Sequence, residues 1–507
     1  VPERKPDLDS LFGARLQGYH VIMNQPAIRA VLVLFLLLTV PAVGLHAADE
    51  PVEGQLARVV GLASTSPFLR ERASMLLDGI GPRPAGTPNG LHAEELAAQT
   101  FRTAGVPLVF AEPVTVPMWQ VHRATLTLVE PTEYEASAVA LANAASTPPQ
   151  GLLLEVIDGG QGTPEEIAAL GDAVDNRAVL VRSGVPEGHR RLHRSATYET
   201  VARAGAAAFL HAPPDPASPA RSGTVTLDGT PGPIPALGIS GRVAAWLSRL
   251  LREGRSVRVR VTLLADRVPA TAHNVVAEIP GRRPEEVILL GAHLDSWDLA
   301  QGAGDNGTGT LVLWQVARTL VEQGLRPLRT LRFVSFTGEE LGLLGSRSYV
   351  ERHREELGSI RAMVNLDMVG EPTGFGAMLQ PGVLPLLGHL ARRLAGFGLD
   401  PEPLDRAWLH SDHQPFLLAG VPVITLRSRL REEVRDACHS DRDTIDVLDP
   451  GRQQRAAAVV AALAWQLATV EELPTRSLEP AEVVRHLHDA GITVDGPVDR
   501  VPGGRRE

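Results

Sequence analysis

Apolar positions change their spacing along the chain, and each change predicts a different kind of element. From Ser66 to Gly79 and again from Leu91 to Ala104 they recur at helical spacing, each run stopping at a glycine. The loop between the two runs reads IGPRPAGTPNG. Beyond Val106 the pattern shortens to β-like runs such as RATLTLVE and GLLLEVID, parted by the turn-rich NAASTPPQG. NRAVLVRSG, a helical YETVARAGAAAFL, a proline-rich HAPPDPASPA and IPALGIS follow, so residues 126–268 read as a smaller α/β or β-rich module.

A second organisation begins near Asn274. EEVILLGAH, RTLRFVSFTGEE, IRAMVNLDMVG and VPVITLRS are apolar runs long enough for buried strands of a mostly parallel sheet. Helical stretches such as Thr308 to Gln323 separate them, and Asp449-Pro450 caps a last helix to about Val470. The alternation predicts an α/β fold, a doubly wound sheet with helices on both faces. Its main domain is expected over 49–125 and 269–473, with 126–268 inserted and a polar tail over 474–507.

A length of 507 residues agrees with more than one domain. Apolar residues make up 44% and charged residues 21%, as in a globular protein. The net charge of −10 argues against nucleic acid as a partner, because no basic cluster could neutralise phosphates. One cysteine, Cys438, excludes an internal disulfide framework. Met23 opens a segment with Arg29, an apolar core from Ala30 to Val40 and small residues before Glu50, so residues 23–48 read as a signal peptide. This predicts export to the periplasm or the extracellular space, with no membrane span left after cleavage. Residues 1–22 read as an upstream segment outside the native start.

The chemistry lies where predicted strands end. His293 and Asp295 close one strand, Asp305 sits in a glycine-rich loop, Glu339 and Glu340 follow the next strand, and Asp367 the third. His439 precedes the last helix. In open α/β sheets such strand ends converge on one crevice. Three carboxylates brought together repel unless cations sit among them; the four positive charges of two zinc ions would be matched by three carboxylates and one bridging hydroxide, with two neutral imidazoles completing the shells. Asp305, flanked by glycines, suits a bridging position. Of Glu339 and Glu340, one would bind metal and the other would take a proton. Cys438 reads as a packing residue, and Asp443 as a residue that orients His439 or caps a turn.

H-x-D after a strand, GDNGTG, FTGEELGLLGS, NLDMVG and CHSDRDTIDVLDP together resemble the M28 family of zinc exopeptidases, over about Ser66 to Val470. GAHLDSWDLAQGAGDNG, GLRPLRTLRFV and HSDRDTIDVLDP are most similar to its carboxypeptidase Q branch. The resemblance implies that His293 and Asp367 bind one zinc ion, Glu340 and His439 the other, and that Asp305 bridges them. It implies Glu339 as general base, Asp295 as the acid that orients His293, a cis Asp305-Asn306 bond, and a protease-associated character for the insert. Relatives often place an oxyanion-binding tyrosine where DRAWLHSDHQPF stands, which offers His410, His413 or Trp408 instead. The expected activity is hydrolysis of a peptide or dipeptide by metal-activated water, with aminopeptidase action favoured over carboxypeptidase Q-like dipeptidase or carboxypeptidase action. A second copy of the chain, as a homodimer, is compatible with this reading. A non-catalytic binding protein would lack some of these groups, and no Gly-x-Ser-x-Gly elbow supports a serine hydrolase.

Overall fold

In the computed structural model, residues 52–184, 192–324, 326–492 and 494 are described. The expected signal peptide and the segment before it lie outside those residues. The principal strands are β1 (Leu108–Glu130), β2 (Leu152–Asp158), β3 (Ala178–Arg182), β4 (Ala208–Ala212), β5 (Ala236–Ile239) and β6 (Arg258–Ile279). They continue as β7 (Arg283–His293), β8 (Arg329–Phe336), β9 (Ile360–Asn365), β10 (Glu371–Met378) and β11 (Val423–Arg429).

One mixed sheet runs in the order β10-β11-β9-β7-β8-β6-β2-β3-β4-β5, with short strands at either end. β11, β9, β7 and β8 are mutually parallel along that path, and β2 to β5 form a second parallel set. β6 is antiparallel to both neighbours and joins the two sets, pairing with β8 near its C-terminal end and with β2 near its start. β1 lies along almost the whole of β6, from Leu108 opposite Glu278 to Glu130 opposite Arg258.

No distinct inserted domain is identified. The positions 125/126 and 268/269 fall inside β1 and β6, two continuous strands of the shared sheet. Residues 126–268 do gather their own apolar core, around Val179, Leu180, Phe209, Leu237 and Leu247. Their strands alternate with helices, including Arg194–Arg203 and Gly241–Arg252, so the lobe is α/β. The run YETVARAGAAAFL is not helical throughout: the helix stops at Arg203, and Gly205 (φ +91°) turns the chain into β4. Alanines carry no spacing signal, so the glycine alone marks the change.

Helices cover both faces of the main sheet. α1 (Thr308–Glu322) is buried almost all round, through Leu311, Leu313, Trp314 and Val316. α2 (Pro450–Thr469) begins where Asp449 accepts from the amides of Gly451 and Arg452, and its alanine-rich body packs against α1. Among the described residues no helix is long and apolar enough to cross a membrane. The tail that sequence spacing left unassigned holds α3 (Pro480–Asp489), whose Val483 and Leu487 are buried with Leu409, Leu417 and Leu418.

Candidate metal centre

Parallel strands bring the predicted residues to one edge. β7 ends at His293, which lies opposite Phe336 of β8, so Glu339 and Glu340 emerge beside it. β9 pairs with the other side of β7 and delivers Asp367 to the same edge. The loop after the helix Glu432–Ala437 adds His439, held at φ +60°. The bond Asp305-Asn306 is cis, as the resemblance implies.

Asp305 stands between the two imidazoles. Its Oδ1 lies 3.2 Å from Nε2 of His293 and its Oδ2 lies 3.1 Å from Nε2 of His439. Asp367 Oδ1 is 3.5 Å from the same nitrogen of His293, and Glu340 Oε2 is 3.1 Å from that of His439. Two groups with metal-ligand geometry result, His293 with Asp305 and Asp367, and His439 with Asp305 and Cys438. Oδ1 of Asp367 and Oε1 of Glu340 are buried and accept no hydrogen bond. Orphaned carboxylate oxygens facing neutral-capable imidazoles are the donor set that divalent zinc prefers.

Burial opposes charge at Asp305, Glu339, Glu340 and both imidazoles, and the neighbours decide which charges survive. Burial raises the Asp305 carboxyl, yet hydrogen bonds from His293 and His439 outweigh it and hold Asp305 well below the usual carboxylate range. Both imidazoles sit well above their ordinary value because the surrounding acids, Glu339 beside His293 and Glu340 beside His439 among them, overcome burial. Glu339 is shifted opposite to Asp305: burial pushes it well up, and Glu340 and Asp367 add to the rise.

Cys438 is closer than a packing role implies. Its thiol donates to Asp305 Oδ2 at 3.2 Å, and burial pushes that thiol up to about 12, so it is a neutral donor at pH 7.

Several supporting contacts differ from those expected. Nδ1 of His293 meets the main-chain oxygen of Asp295 at 3.1 Å, whereas the Asp295 carboxylate is 3.8 Å away. That carboxylate accepts from the amides of Glu339 (3.1 Å) and Glu340 (3.3 Å), fixing the pair rather than the imidazole. Asp443 does the same for the bridging loop, accepting from the amides of Gly304 and Asp305 at 2.5 and 3.0 Å. Ser411, next to the histidines of HSDH, donates to Asp367 Oδ2 at 2.6 Å and accepts from Asn365. Of the three oxyanion candidates, His413 is buried against the Trp408 carbonyl and Trp408 faces an outer cleft, while His410 lines the site.

Sequence reasoning missed Arg83, from the first predicted loop. It is fully buried and its guanidinium donates to the carbonyls of Leu294 (2.6 Å), Gly302 (3.0 Å), Gly81 (3.3 Å) and Gln301. Burial lowers it to about 10, against the pull of Asp443 and Asp295. Arg83→Met leaves those carbonyls without a donor and the acids without a counter-charge. The expected loss is roughly 3–5 kcal/mol, read as a lower thermal midpoint by circular dichroism. An unchanged midpoint would show that the guanidinium adds nothing net.

The lobe touches the centre directly. The amide of Ser222 donates to the His439 carbonyl at 2.8 Å, and Arg221 reaches the Asp436 carbonyl at 3.2 Å. Arg194, also from the lobe, lines the same chamber as Asp305, Glu339, Glu340, Asp367 and His439. Its Nε donates to the Thr224 carbonyl at 3.2 Å, and a Cβ at position 223 would overlap its guanidinium, so Gly223 (φ +137°) makes its seat.

Residues 274–464 match the family model described as peptidase family M28. The chain is 30% identical over 426 residues to carboxypeptidase Q of Homo sapiens, covering 80% of this chain and 86% of that protein. Among solved structures it is similar to a peptidase M28 precursor of Shewanella amazonensis, with a TM-score of 0.74 and 24% identity over 84% of this chain and 98% of that one. It is also similar to a zinc aminopeptidase of Bacillus subtilis, with a TM-score of 0.63 and 24% identity over 82% and 98%. The likeness to these structures is one of fold.

Proposed function

On the premise that this chain belongs to peptidase family M28 and is a zinc-dependent metallopeptidase, we propose that it is a di-zinc dipeptidase or carboxypeptidase that recognises the free carboxylate of its substrate. The sequence leaned toward an aminopeptidase. Similarity along most of its length to carboxypeptidase Q supports the other direction, and one feature of the site carries it. Among the described residues lining the chamber, Arg194 is the one fixed cation, seated by Gly223 within the space that the acids and imidazoles enclose. A guanidinium is the natural partner of a carboxylate, which it can hold through two parallel hydrogen bonds.

His293 and Asp367 would hold one zinc ion, Glu340 and His439 the other, and Asp305 would give one oxygen to each. A zinc pair, when bound, supplies Lewis acidity toward the scissile carbonyl and toward water. Glu339 takes a proton from the attacking water and returns it to the leaving amine, a task suited to a carboxyl whose basicity burial raises well above its ordinary range. Asp295 keeps that carboxyl in place through its backbone. Arg194 sets the distance between the substrate's terminal carboxylate and the bond to be cut. The expected setting is the periplasm or the extracellular space.

The test compares a dipeptide with free ends against its amidated and its acetylated forms. Amidation is expected to raise KM about thirtyfold or more, since it removes a charge-assisted pair worth roughly 2–5 kcal/mol, and Arg194→Gln to do the same for the free dipeptide. If acetylation abolishes cleavage and amidation does not, the enzyme reads the amino end and the proposal fails.

A further inference from the structure

Two cavities meet at the metal centre. The chamber that holds the ligands and Arg194 has a volume of about 210 Å³, and beside it lies an open cleft of about 1870 Å³ between the lobe and the main domain. Both are lined by His193, Leu227, Asp367, Met368 and His410, so these residues mark the junction. His193 comes from the lobe and His410 from the loop before Ser411, and their rings stack across the junction, 4.9 Å between centroids and 14° between planes.

Each of the two residues is tied to its own side of the gap. Nδ1 of His193 accepts from the Ser195 amide at 3.2 Å and lies 2.7 Å from the Ser195 hydroxyl. His410 adopts φ +76°, unusual for a residue with a side chain, and its amide donates to Oε1 of Gln414 at 2.7 Å. Burial and the adjacent Arg194 hold the His193 imidazole well below its ordinary value.

A chamber of about 210 Å³ falls below the roughly 300–1,000 Å³ of pockets that enclose whole small ligands. It accommodates little beyond the residue whose carboxylate Arg194 holds and the bond to be cut. Each further residue advances the chain by up to about 3.6 Å, and the histidine pair stands where the chamber opens into the cleft, so a substrate that extends from the chamber into the cleft must pass it.

We infer that His193 and His410 form a partition that sets substrate length, admitting a dipeptide and resisting longer peptides. This rests on the carboxylate-reading function proposed above. The pair limits which substrates reach the metals, and neither ring needs to touch the reacting atoms.

The experiment uses the full chain loaded with zinc and measures kcat/KM for Ala-Leu and Ala-Ala-Ala-Leu, with zinc content and thermal midpoint recorded for every variant. The unsubstituted protein is expected to favour the dipeptide. His193→Ala is expected to raise the tetrapeptide-to-dipeptide ratio about tenfold, chiefly through KM of the longer peptide, at unchanged zinc content. His193→Phe, which keeps a flat ring against His410, should retain the original ratio. His410→Ala gives a second route to an open junction and should shift the ratio in the same direction. A ratio that stays fixed in both alanine variants overturns the partition, as does a tenfold shift in His193→Phe. Mass spectrometry of the tetrapeptide products shows separately which end is cut. Loss of the amino-terminal alanine would sink the carboxylate-reading function, while the ratio would still report on the partition.

Discussion

Glu339→Gln is expected to lower kcat by roughly 10²–10⁴-fold while two zinc ions remain bound. Glutamine keeps the shape of the side chain and the backbone contact to Asp295, so the neighbouring Glu340 stays where it is. What glutamine lacks is a basic oxygen to take a proton. The two glutamates are adjacent, but it is Glu340 whose Oε2 lies 3.1 Å from an imidazole nitrogen, that of His439. Burial raises both carboxyls, Glu339 well above its ordinary range. Metal analysis beside steady-state kinetics separates the roles. If Glu339→Gln sheds zinc and Glu340→Gln keeps both ions but loses turnover, the assignments are reversed.

Asp305→Ala is expected to remove both metals at once. Each of its oxygens faces a different histidine, at 3.2 and 3.1 Å, so one substitution strips a ligand from both groups. Glu340→Ala, by contrast, touches only the side of His439 and should leave close to one ion. Zinc that binds the folded state alone stabilises it by about 4 kcal/mol at a thousandfold excess over Kd. That increment, read as the upward shift of the thermal midpoint on adding zinc, should vanish in Asp305→Ala and persist in part in Glu340→Ala. An Asp305→Ala protein that still takes up two ions would dismiss the bridging role.

The strand ends were legible because buried parallel strands leave uninterrupted apolar runs, and an acid or histidine directly after each run has few bland explanations. VILLGAH, LRFVSF and AMVNLD announce themselves in this way, and α2 carries its cap in the sequence. The contacts that steady the site were not legible, because they join distant stretches. Arg83 reaches loops more than two hundred positions away, and Ser222 meets His439 from another lobe. Nothing local distinguishes Arg194 from any arginine opening a surface helix, so the sequence held no signal for which substrate end is read. The resemblance implies that Asp295 orients His293; its carboxylate lies 3.8 Å from that imidazole and also accepts from the amides of Glu339 and Glu340, contacts that no spacing announces. The ribbon of β1 and β6 escaped notice because spacing finds apolar runs, and this pair carries exposed positions such as Leu108, Phe110 and Val268 along its length.

The hydrogen bond from Ser222 to His439 bears on how small this enzyme can be made. Every proposed ligand and Glu339 fall within the 274–464 stretch that matches the family, and a shortened gene would naturally keep that stretch alone. Such a product would carry the acids without Arg83 beneath them and His439 without the lobe that steadies its loop. It would also lack Arg194 and His193, the groups that give the chamber its far wall. The smallest working version is therefore nearly the whole described chain, and trimming has room to start only at its two ends.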